Sequence, residues 1–245
     1  MPNSHKLPSN MLKIASIVHG ICLSLLIGMV EGIDQAVNPT LVGRLKLSPT
    51  ELDKIKLLSQ DSDWTFDYFA SDFHNYSPGG VVNANAATFP ATIGNGMTMS
   101  WLTLGPCAML PPHYHPRASN YVVAVEGTTE TFMTLENGAR LVRTILTPGK
   151  MTIFPTGSLH TMQNTGRFRC ENATLVSALS SEDAGTHNVA NGLFGLPSEI
   201  LAAAFGDSPV ATQFAALAQN IPAVGTGASE GSSECMRRCE GGPSF

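Results

Sequence analysis

Charged side chains are scarce in this sequence. Asp, Glu, Lys and Arg make up 13% of its 245 residues, and the formal net charge is −5. No stretch combines clustered basic residues with aromatic side chains, which is the composition typical of nucleic-acid-binding surfaces. The sequence also has no P-loop and no dinucleotide-binding glycine fingerprint. These absences argue against a nucleic-acid partner, an anionic membrane surface and nucleotide-dependent chemistry.

Long apolar runs are scarce as well: one extends from Ile14 to Val30, directly after Lys13. It is short for a membrane span and is interrupted by polar and small residues. A basic residue, an apolar stretch and a small residue at its end form the pattern of a secretory signal peptide. We predict a signal peptide over residues 1–32, cleaved near Gly32, with an uncleaved anchor as the alternative. The mature chain would be secreted or vacuolar, without a stable membrane span.

Cysteine is infrequent, and one of the five cysteines, Cys22, would leave with the signal peptide. An even number in an oxidising compartment predicts two disulfides, for which three pairings exist, and buried free thiols are the alternative. Two tripeptides, beginning at Asn75 and Asn172, are predicted glycosylation sites, the first weakened by Pro78. The four remaining cysteines are Cys107, Cys170, Cys235 and Cys239.

A leader segment is predicted over residues 33–63, before the main domain. It includes a short helix in LSPTELDKIKLLSQ, with Ser48 as N-cap, Pro49 at the first helical position and Glu51 completing a capping box. The apolar residues that follow recur at helical spacing.

Short β-rich runs dominate residues 64–180. Turn dipeptides such as Asn137-Gly138 and Pro148-Gly149 separate them, and Asn-Gly between apolar runs is a strong hairpin pattern. Many short strands at this spacing predict an antiparallel sandwich or barrel. The runs are TMSWLTL, NYVVAVEG, TETFMTL, ARLVRTIL, KMTIFP and ATLVSAL.

Helical patterns return over residues 181–222. LPSEILAAAFG offers Ser198 as a cap and Gly206 as a stop, and PVATQFAALAQNI is a second candidate helix. These apolar-faced helices have little further domain to cover, so we expect them to pack on a neighbouring subunit of a homo-oligomer. Residues 223–245 are rich in Gly and Ser and are expected to form a mobile tail.

Three histidines are the candidate metal ligands. His113 and His115 are two residues apart, so on a strand both side chains face the same side. The stretch GKMTIFPTGSLHTMQN delivers His160 onto a later strand after a turn at Gly157. Three imidazoles on strands of one barrel would form a facial ligand set with open positions for substrate or dioxygen.

At these residues the sequence resembles the germin-like branch of the cupins. Gly105, the H-x-H pair and Gly127 fit that family's first box, and the spherulin-like subgroup is similar in PPHYHPRAS and FPTGSLH. The second box, G-x5-P-x-G-x2-H-x3-N, is matched at every position. Its residues here are Gly149, Pro155, Gly157, His160 and Asn164.

The resemblance implies an all-β fold, a cupin (jelly-roll) β-barrel with an N-terminal leader helix and C-terminal helices. It also implies a divalent metal, with manganese expected and iron as the alternative, and a homo-oligomer tied together by the C-terminal helices. The family's ligand set is three histidines and a glutamate. The predicted metal ligands in this chain, and its predicted catalytic residues, are His113, His115, His160 and Asn120, the last in the position of the glutamate.

Asn120 is therefore the departure from the family pattern. Glu126 shares its strand face, but six residues separate the two, roughly 20 Å along a strand, so Glu126 cannot replace the ligand. The amide oxygen of Asn120 can ligate or hydrogen-bond a bound water. Alternatively, Asn120 marks a degraded site. A site with no anionic ligand would be more positive than a germin site and would favour an anionic, bidentate substrate.

The leading functional hypothesis is a metal-dependent oxidoreductase of dioxygenase or epoxidase type. Its substrate would be a small phenolic or polyketide-derived molecule in fungal secondary-metabolite, mycotoxin-type biosynthesis, an expectation that comes from the resemblance. The first alternative is a germin-like oxalate oxidase or manganese superoxide dismutase. The second is a non-catalytic spherulin-like wall or stress protein.

The resemblance also suggests the disulfide pairing. Cys107 begins the strand that leads to His113, and Cys170 begins a later strand expected to be its sheet neighbour in a cupin barrel. Cys235 and Cys239 are four residues apart in the expected tail, where a small loop could close. We therefore predict the pairs Cys107–Cys170 and Cys235–Cys239.

Overall fold

The computed structural model describes residues 35–165, 170–208 and 227–240, together with Gln213. The predicted signal peptide at 1–32 lies outside these residues, as does the candidate helix at 209–221 except for Gln213. Within the described part of the chain, no helix has the length and apolar character needed to cross a bilayer.

The described residues include ten strands, which form two antiparallel five-stranded sheets. They are β1 (Gly79–Ala84), β2 (Thr98–Leu104), β3 (Met109–Tyr114), β4 (Asn120–Glu126), β5 (Thr129–Thr134), β6 (Val142–Leu146), β7 (Met151–Phe154), β8 (Leu159–Asn164), β9 (Ala173–Leu179) and β10 (His187–Asn188). The first sheet has the order β1-β2-β9-β4-β7, and the second has the order β10-β3-β8-β5-β6. The all-β prediction is confirmed.

The strands form where apolar and polar residues alternate. In β4, Val122 and Ala124 are buried, whereas Tyr121 and Val125 are exposed. One face of the strand therefore points between the sheets and the other points to solvent. The predicted runs TMSWLTL and ATLVSAL coincide with β2 and β9.

The main core lies between the two sheets. Phe154, Met162 and Leu175 are among its fully buried side chains. Burying each such side chain contributes about 1.5–3 kcal/mol relative to its exposed state, which holds the sheets together face to face.

Two helices precede the barrel, α1 (Pro39–Lys46) and α2 (Glu51–Leu57). The predicted cap at Ser48 is wrong: the N-cap of α2 is Thr50, whose hydroxyl accepts a hydrogen bond from the backbone N–H of Asp53. Thr50 is the N-cap because Asp53, three residues later, also accepts a hydrogen bond from the threonine hydroxyl. The Ser48 hydroxyl instead donates to the backbone oxygen of Arg44 in α1.

After the barrel, the described residues include α3 (Val189–Phe194), α4 (Ser198–Ala204) and α5 (Ser233–Glu240). The expected helix in LPSEILAAAFG is present as α4, with Pro197 rather than Ser198 at the N-cap. Gly206, the expected stop, has a φ of +64°, a left-handed conformation that favours glycine after a helix.

The expected mobile tail is wrong for residues 227–240. Gly227 forms a bridge with Gly80, and Ser229 forms one with Met109. Ala228 is buried in the main core. The segment folds against the barrel because it supplies missing backbone partners at the starts of β1 and β3, which its Gly and Ser content did not indicate.

All four described cysteines are in disulfides, but the predicted pairing is wrong. Cys107 pairs with Cys235, and Cys170 pairs with Cys239. Helix α5 explains the difference, since residues four apart on a helix lie on the same face and side by side. Both cysteines of α5 therefore face the barrel, where they pair with Cys107 and Cys170 instead of with each other.

Candidate metal centre

Strands β3 and β8 bring the three histidines together. His113 and His160 are direct cross-strand partners, and His115 follows two residues after His113. All three imidazoles are buried, with exposed fractions of 1%, 8% and 2% for His113, His115 and His160. Tyr114, between the first two, points the other way and stacks on His187. The predicted ligand triad is therefore assembled in one place.

A glycine turn fixes the position of His115, which lies just beyond the end of β3. The backbone N–H of Gly157 donates to His115 O at 3.0 Å. Gly157 has a φ of +76°, a region that glycine enters without a steric penalty. The glycine of the second box therefore connects the turn before His160 to the backbone of His115.

Hydrogen bonds to backbone carbonyls orient each imidazole. His113 Nδ1 lies 2.8 Å from Pro111 O, His115 Nδ1 lies 2.7 Å from Gly185 O, and His160 Nδ1 lies 2.9 Å from Ser158 O. Because a carbonyl can only accept, each Nδ1 carries the hydrogen, and each Nε2 carries a lone pair.

The Nε2 lone pairs converge. One nitrogen from each ring forms a group in which the atoms lie within 4.8 Å of one another, an arrangement that could hold a metal ion. The Nε2 atom of His160 is buried and has no hydrogen-bond partner among the described residues. Buried polar atoms are almost always partnered, so a nitrogen of this kind is suited to ligating a cation, and the residues present suit a divalent metal.

Burial keeps the histidines neutral. The pKa of His113 lies well below 6.5, mainly because burial disfavours the charged form, with additional repulsion from His160 and His115. Burial also lowers the pKa of His115, and it lowers the pKa of His160 to about 3. A neutral imidazole is the form that ligates metals, so the site is ready for an ion at neutral pH.

Asn120 approaches the triad from the other sheet. It begins β4, is 4% exposed, and its Nδ2 lies 3.4 Å from His115 Nε2. Its Oδ1 accepts a short hydrogen bond from the hydroxyl of Ser177 on β9. The Asn120 amide therefore lies between Ser177 and His115. This is the residue expected from the sequence to be a weak metal ligand.

A small cavity of about 40 Å³ opens beside His113 and His115. At roughly 10–15 Å³ for each water-sized sphere, it holds only a few non-hydrogen atoms. Its polar lining is neutral, and none of the described residues around it carries a carboxylate, an ammonium or a guanidinium group. The neutral side chains beyond the histidines include Asn83, Ser100, Asn120, Ser177 and Thr186.

The other predicted residues lie away from the triad. Glu126 is exposed and makes no part of the cavity lining. Asn164 donates to three backbone carbonyls, of Leu104, Gly105 and Glu171, and so joins the ends of strands. Of the two sequon asparagines, Asn172 is exposed, whereas Asn75 is half-buried and its Oδ1 accepts from Ser77 N.

Ser100 and Ser177 line the cavity although neither belongs to a sequence motif named above. Both are buried polar residues at inward positions of strands that are otherwise apolar inside. Their alternation with outward residues in TMSWLTL and ATLVSAL was the available pattern, because a polar residue on the buried face of a strand is unusual.

Known proteins resemble this chain in both sequence and fold. Spherulin-1A from Physarum polycephalum is 34% identical over 206 residues, covering 83% of this chain and 80% of the relative. Germin-like protein 1-3 from Oryza sativa subsp. japonica is 30% identical over 184 residues, covering 72% and 80%. An oxalate oxidase solved with the substrate analogue glycolate is 21% identical, with a TM-score of 0.59, over 66% of this chain and 84% of that chain.

The two sheets pack face to face around three inward histidines that could hold a metal ion, which is the arrangement of a β-barrel protein with a candidate metal site. The Cupin family model matches residues 70–213, and the chain belongs to the cupin family. Within that family it is similar to the spherulins and the germin-like proteins. Procruciferin, an 11S globulin from Brassica napus, shares the fold at a TM-score of 0.58 and 16% identity, over 68% of this chain and 42% of that chain. The fold alone therefore assigns no activity.

Proposed function

We propose that this cupin is a metal-dependent oxidoreductase acting on a small, oxygen-rich molecule. The observation that supports this proposal is the group of three buried imidazoles whose Nε2 lone pairs converge while their Nδ1 atoms are held by carbonyls. Three neutral donors on one side of an ion leave the other side open for ligands. Manganese is the proposed ion, with iron as the alternative.

The residues would divide the work between ligation and orientation. His113, His115 and His160 would ligate the ion, and Asn120 would supply a weak amide oxygen. A divalent ion there would supply Lewis acidity and redox chemistry with dioxygen. Because the described lining carries no charged side chain, the ion would be the main positive charge that an anionic substrate group meets.

The cavity volume limits what can enter. About 40 Å³ admits a chelating group of a few atoms. A phenolic or polyketide-derived substrate, as proposed for fungal secondary metabolism, would place only its chelating oxygens beside the ion, with the ring at the cavity mouth.

A germin-type activity on a small carboxylate is the second candidate, and the same small volume favours it. Oxalate is much smaller than a polyketide-derived molecule and could place two of its oxygens beside the ion. It is also the substrate named for the oxalate oxidase whose fold this chain shares.

Metal analysis and turnover together test the proposal. The purified protein should contain close to one transition metal ion per chain, and metal-depleted protein should regain activity with Mn²⁺ or Fe²⁺. Dioxygen consumption should be measured with catechols and α-hydroxy ketones in one panel, oxalate in a second, and superoxide decay in a third. A protein that binds metal but turns over nothing would support the non-catalytic scaffold instead.

The assembly and compartment are separate proposals. Leu196, Ile200 and Phe205 are exposed on and around α4, which supports a homo-oligomer formed through the C-terminal helices. Light scattering of the protein and of Ile200→Glu would test it, since the charge should release monomers. Two disulfides support passage through the secretory pathway. Sequencing the N-terminus of mature protein would test cleavage near Gly32.

A further inference from the structure

Ser177 is a buried hydroxyl beside Asn120 that neither sequence box includes. It is 2% exposed and lies on β9, the strand between β2 and β4. Its hydroxyl donates to Asn120 Oδ1, while the other end of the same amide, Nδ2, points to His115 Nε2. Two contacts therefore fix the orientation of the Asn120 amide, one with Ser177 and one with His115, a candidate metal ligand.

The Asn120 amide can also take the opposite orientation. An ion bound to the three histidines would occupy the lone pair of His115, so the amide Nδ2–H would lose its acceptor and face a cation. Rotating the amide by half a turn exchanges its two ends and presents the oxygen to the ion instead. Nδ2 would then face Ser177, whose hydroxyl can accept a hydrogen bond as readily as it donates one.

We propose that Ser177 is a positioning residue that holds the Asn120 oxygen toward a metal ion bound by the three histidines. The proposal rests on the metal-binding function proposed above. Ser177 donates to Asn120 in the metal-free protein and accepts from it in the metal-bound protein. A hydroxyl supports both arrangements, and a methyl group supports neither.

Ser100 is a matched control on the neighbouring strand. It is the direct cross-strand partner of Ser177, is 3% exposed and lines the same cavity. Its hydroxyl also donates to an asparagine oxygen, that of Asn83. Replacing either serine by alanine removes one hydroxyl from the same buried row, but only Ser177 contacts Asn120.

The test measures metal binding rather than turnover. Metal-depleted protein is titrated with Co²⁺ and with Mn²⁺ by calorimetry, and the visible absorption of bound Co²⁺ reports its ligand set. Ser177→Ala should weaken binding of both ions by about 10-fold, within the range for lost supporting contacts around a metal site, and should change the Co²⁺ spectrum. Ser100→Ala should bind within about twofold of the wild type.

A double-mutant cycle isolates the pathway through Asn120. In an Asn120→Ala background, adding Ser177→Ala should cost no further affinity, because the amide on which Ser177 acts is gone. Equal losses from the two serine variants, or a full further loss in the Asn120→Ala background, would overturn the proposal. Wild-type protein that binds neither ion would contradict the metal-binding function itself, and the inference would fall with it.

A pair of isosteric variants guards against a folding defect. Ser177→Thr keeps the hydroxyl and Ser177→Val has the same shape without it, so both place the same extra methyl group in the core. The threonine variant should bind Co²⁺ at least about fivefold more tightly than the valine variant. Equal affinities for these two would also overturn the role of the hydroxyl.

Discussion

Strands β3 and β8 carry a cluster of reactive side chains at each end, and the two clusters are held in different ways. At one end, His113 and His160 pair across the strands. At the other end, Cys107 precedes β3, and the Cys235 sulfur lies 2.9 Å from Thr165 O just after β8. Met109 and His113 are roughly 13 Å apart along the strand, so the clusters are separate sites.

The histidine cluster and the cysteine cluster are held in place by different kinds of bond. The histidine end is held by hydrogen bonds to backbone carbonyls, two of them only two residues away in sequence, and the lone pair of His160 Nε2 has no partner among the described residues. The cysteine end is closed by covalent bonds that join residues 128 and 69 positions apart in sequence. One end is prepared for a ligand, and the other holds the C-terminal segment against the barrel.

The largest expected effect is the loss of metal from the histidine end. Replacing His113, His115 or His160 singly by alanine should weaken Mn²⁺ binding by at least about 100-fold, because the described lining has no carboxylate to take over. Metal content per chain after dialysis measures this. His74→Ala is the control, since His74 packs on Phe69 instead and should keep wild-type metal content. Full occupancy in all three ligand variants would refute the site.

The next effect belongs to the cysteine end alone. Replacing Cys107 and Cys235 together by alanine should lower the free energy of unfolding by about 2–5 kcal/mol, or the Tm by about 5–15 °C. The pair is removed together because Cys107 Sγ lies 3.5 Å from Cys239 Sγ, so one leftover thiol could attack the other disulfide. Metal affinity at a temperature where the variant is folded should not change. A matching loss of metal would show that the two ends are coupled.

A third substitution tests whether the neutral charge at position 120 matters for the histidine end. Asn120→Asp adds one negative charge without changing size, and the Ser177 hydroxyl can still donate to it. Mn²⁺ affinity should rise by about 10-fold, because an anionic oxygen is a better donor for a hard divalent ion. Turnover of an anionic substrate should fall in the same protein, because the added charge reduces the attraction of the site. Calorimetry and steady-state kinetics on the same preparation measure both, and unchanged turnover would show that the neutral amide does not tune the reaction.

The two ends should also differ in their response to acid. The pKa values of the three histidines are lowered by burial, so below about pH 6.5 the unfolded state binds more protons than the metal-free folded state. Stability of the metal-free protein should therefore fall as pH falls from 6.5 toward 4. The disulfide cysteines do not titrate and contribute nothing to this trend.

Melting curves between pH 7.5 and 4.5 test this, with a triple alanine variant of the histidines as control. Carboxylates elsewhere affect both proteins equally, so the difference in slope belongs to the triad. Wild-type protein saturated with Mn²⁺ should melt at a higher temperature throughout. Parallel slopes for wild type and triple variant would contradict the assignment.

The smallest effect concerns the turn that positions His115. Gly157→Ala should cost about 1 kcal/mol, because φ is +76° even though an added Cβ meets nothing within 4 Å. Gly96→Ala is the control, with a φ of +64° and equally open surroundings. Both should lose similar stability in denaturant unfolding, but only the Gly157 variant should also lose metal affinity, by a few-fold. Equal affinities would show that the turn does not position the ligand.

The histidine end could be predicted from sequence because its determinants are local. His113 and His115 share a strand face by spacing alone, and the box from Gly149 to Asn164 encodes a strand, a turn and the next strand in sixteen consecutive positions. Strands β2 and β9 were likewise predicted to the residue, since alternation within seven residues defines them.

The cysteine end could not be predicted because its determinants are distant in sequence. Nothing local to Gly227 or Ser229 indicates that they complete the backbone pairing of Gly80 and Met109. Because those two bridges are not visible in the sequence, the segment that carries Cys235 and Cys239 was expected to be a mobile tail. Ser177 was missed for a related reason: its meaning depends on Asn120, which lies fifty-seven residues away and becomes its neighbour only across the sheet.

The carbonyl partners of the three imidazoles have a consequence for how such a site can diversify. The tautomer of each histidine is set by a main-chain carbonyl, at Pro111, Ser158 and Gly185, so it does not depend on the side chain at position 120. Residue 120 can therefore change while the hydrogen bonds that orient the three imidazoles stay the same. If the three histidines bind an ion as proposed, a substitution at position 120 would exchange an anionic donor for a neutral one, while the main-chain hydrogen bonds of the histidines stay unchanged.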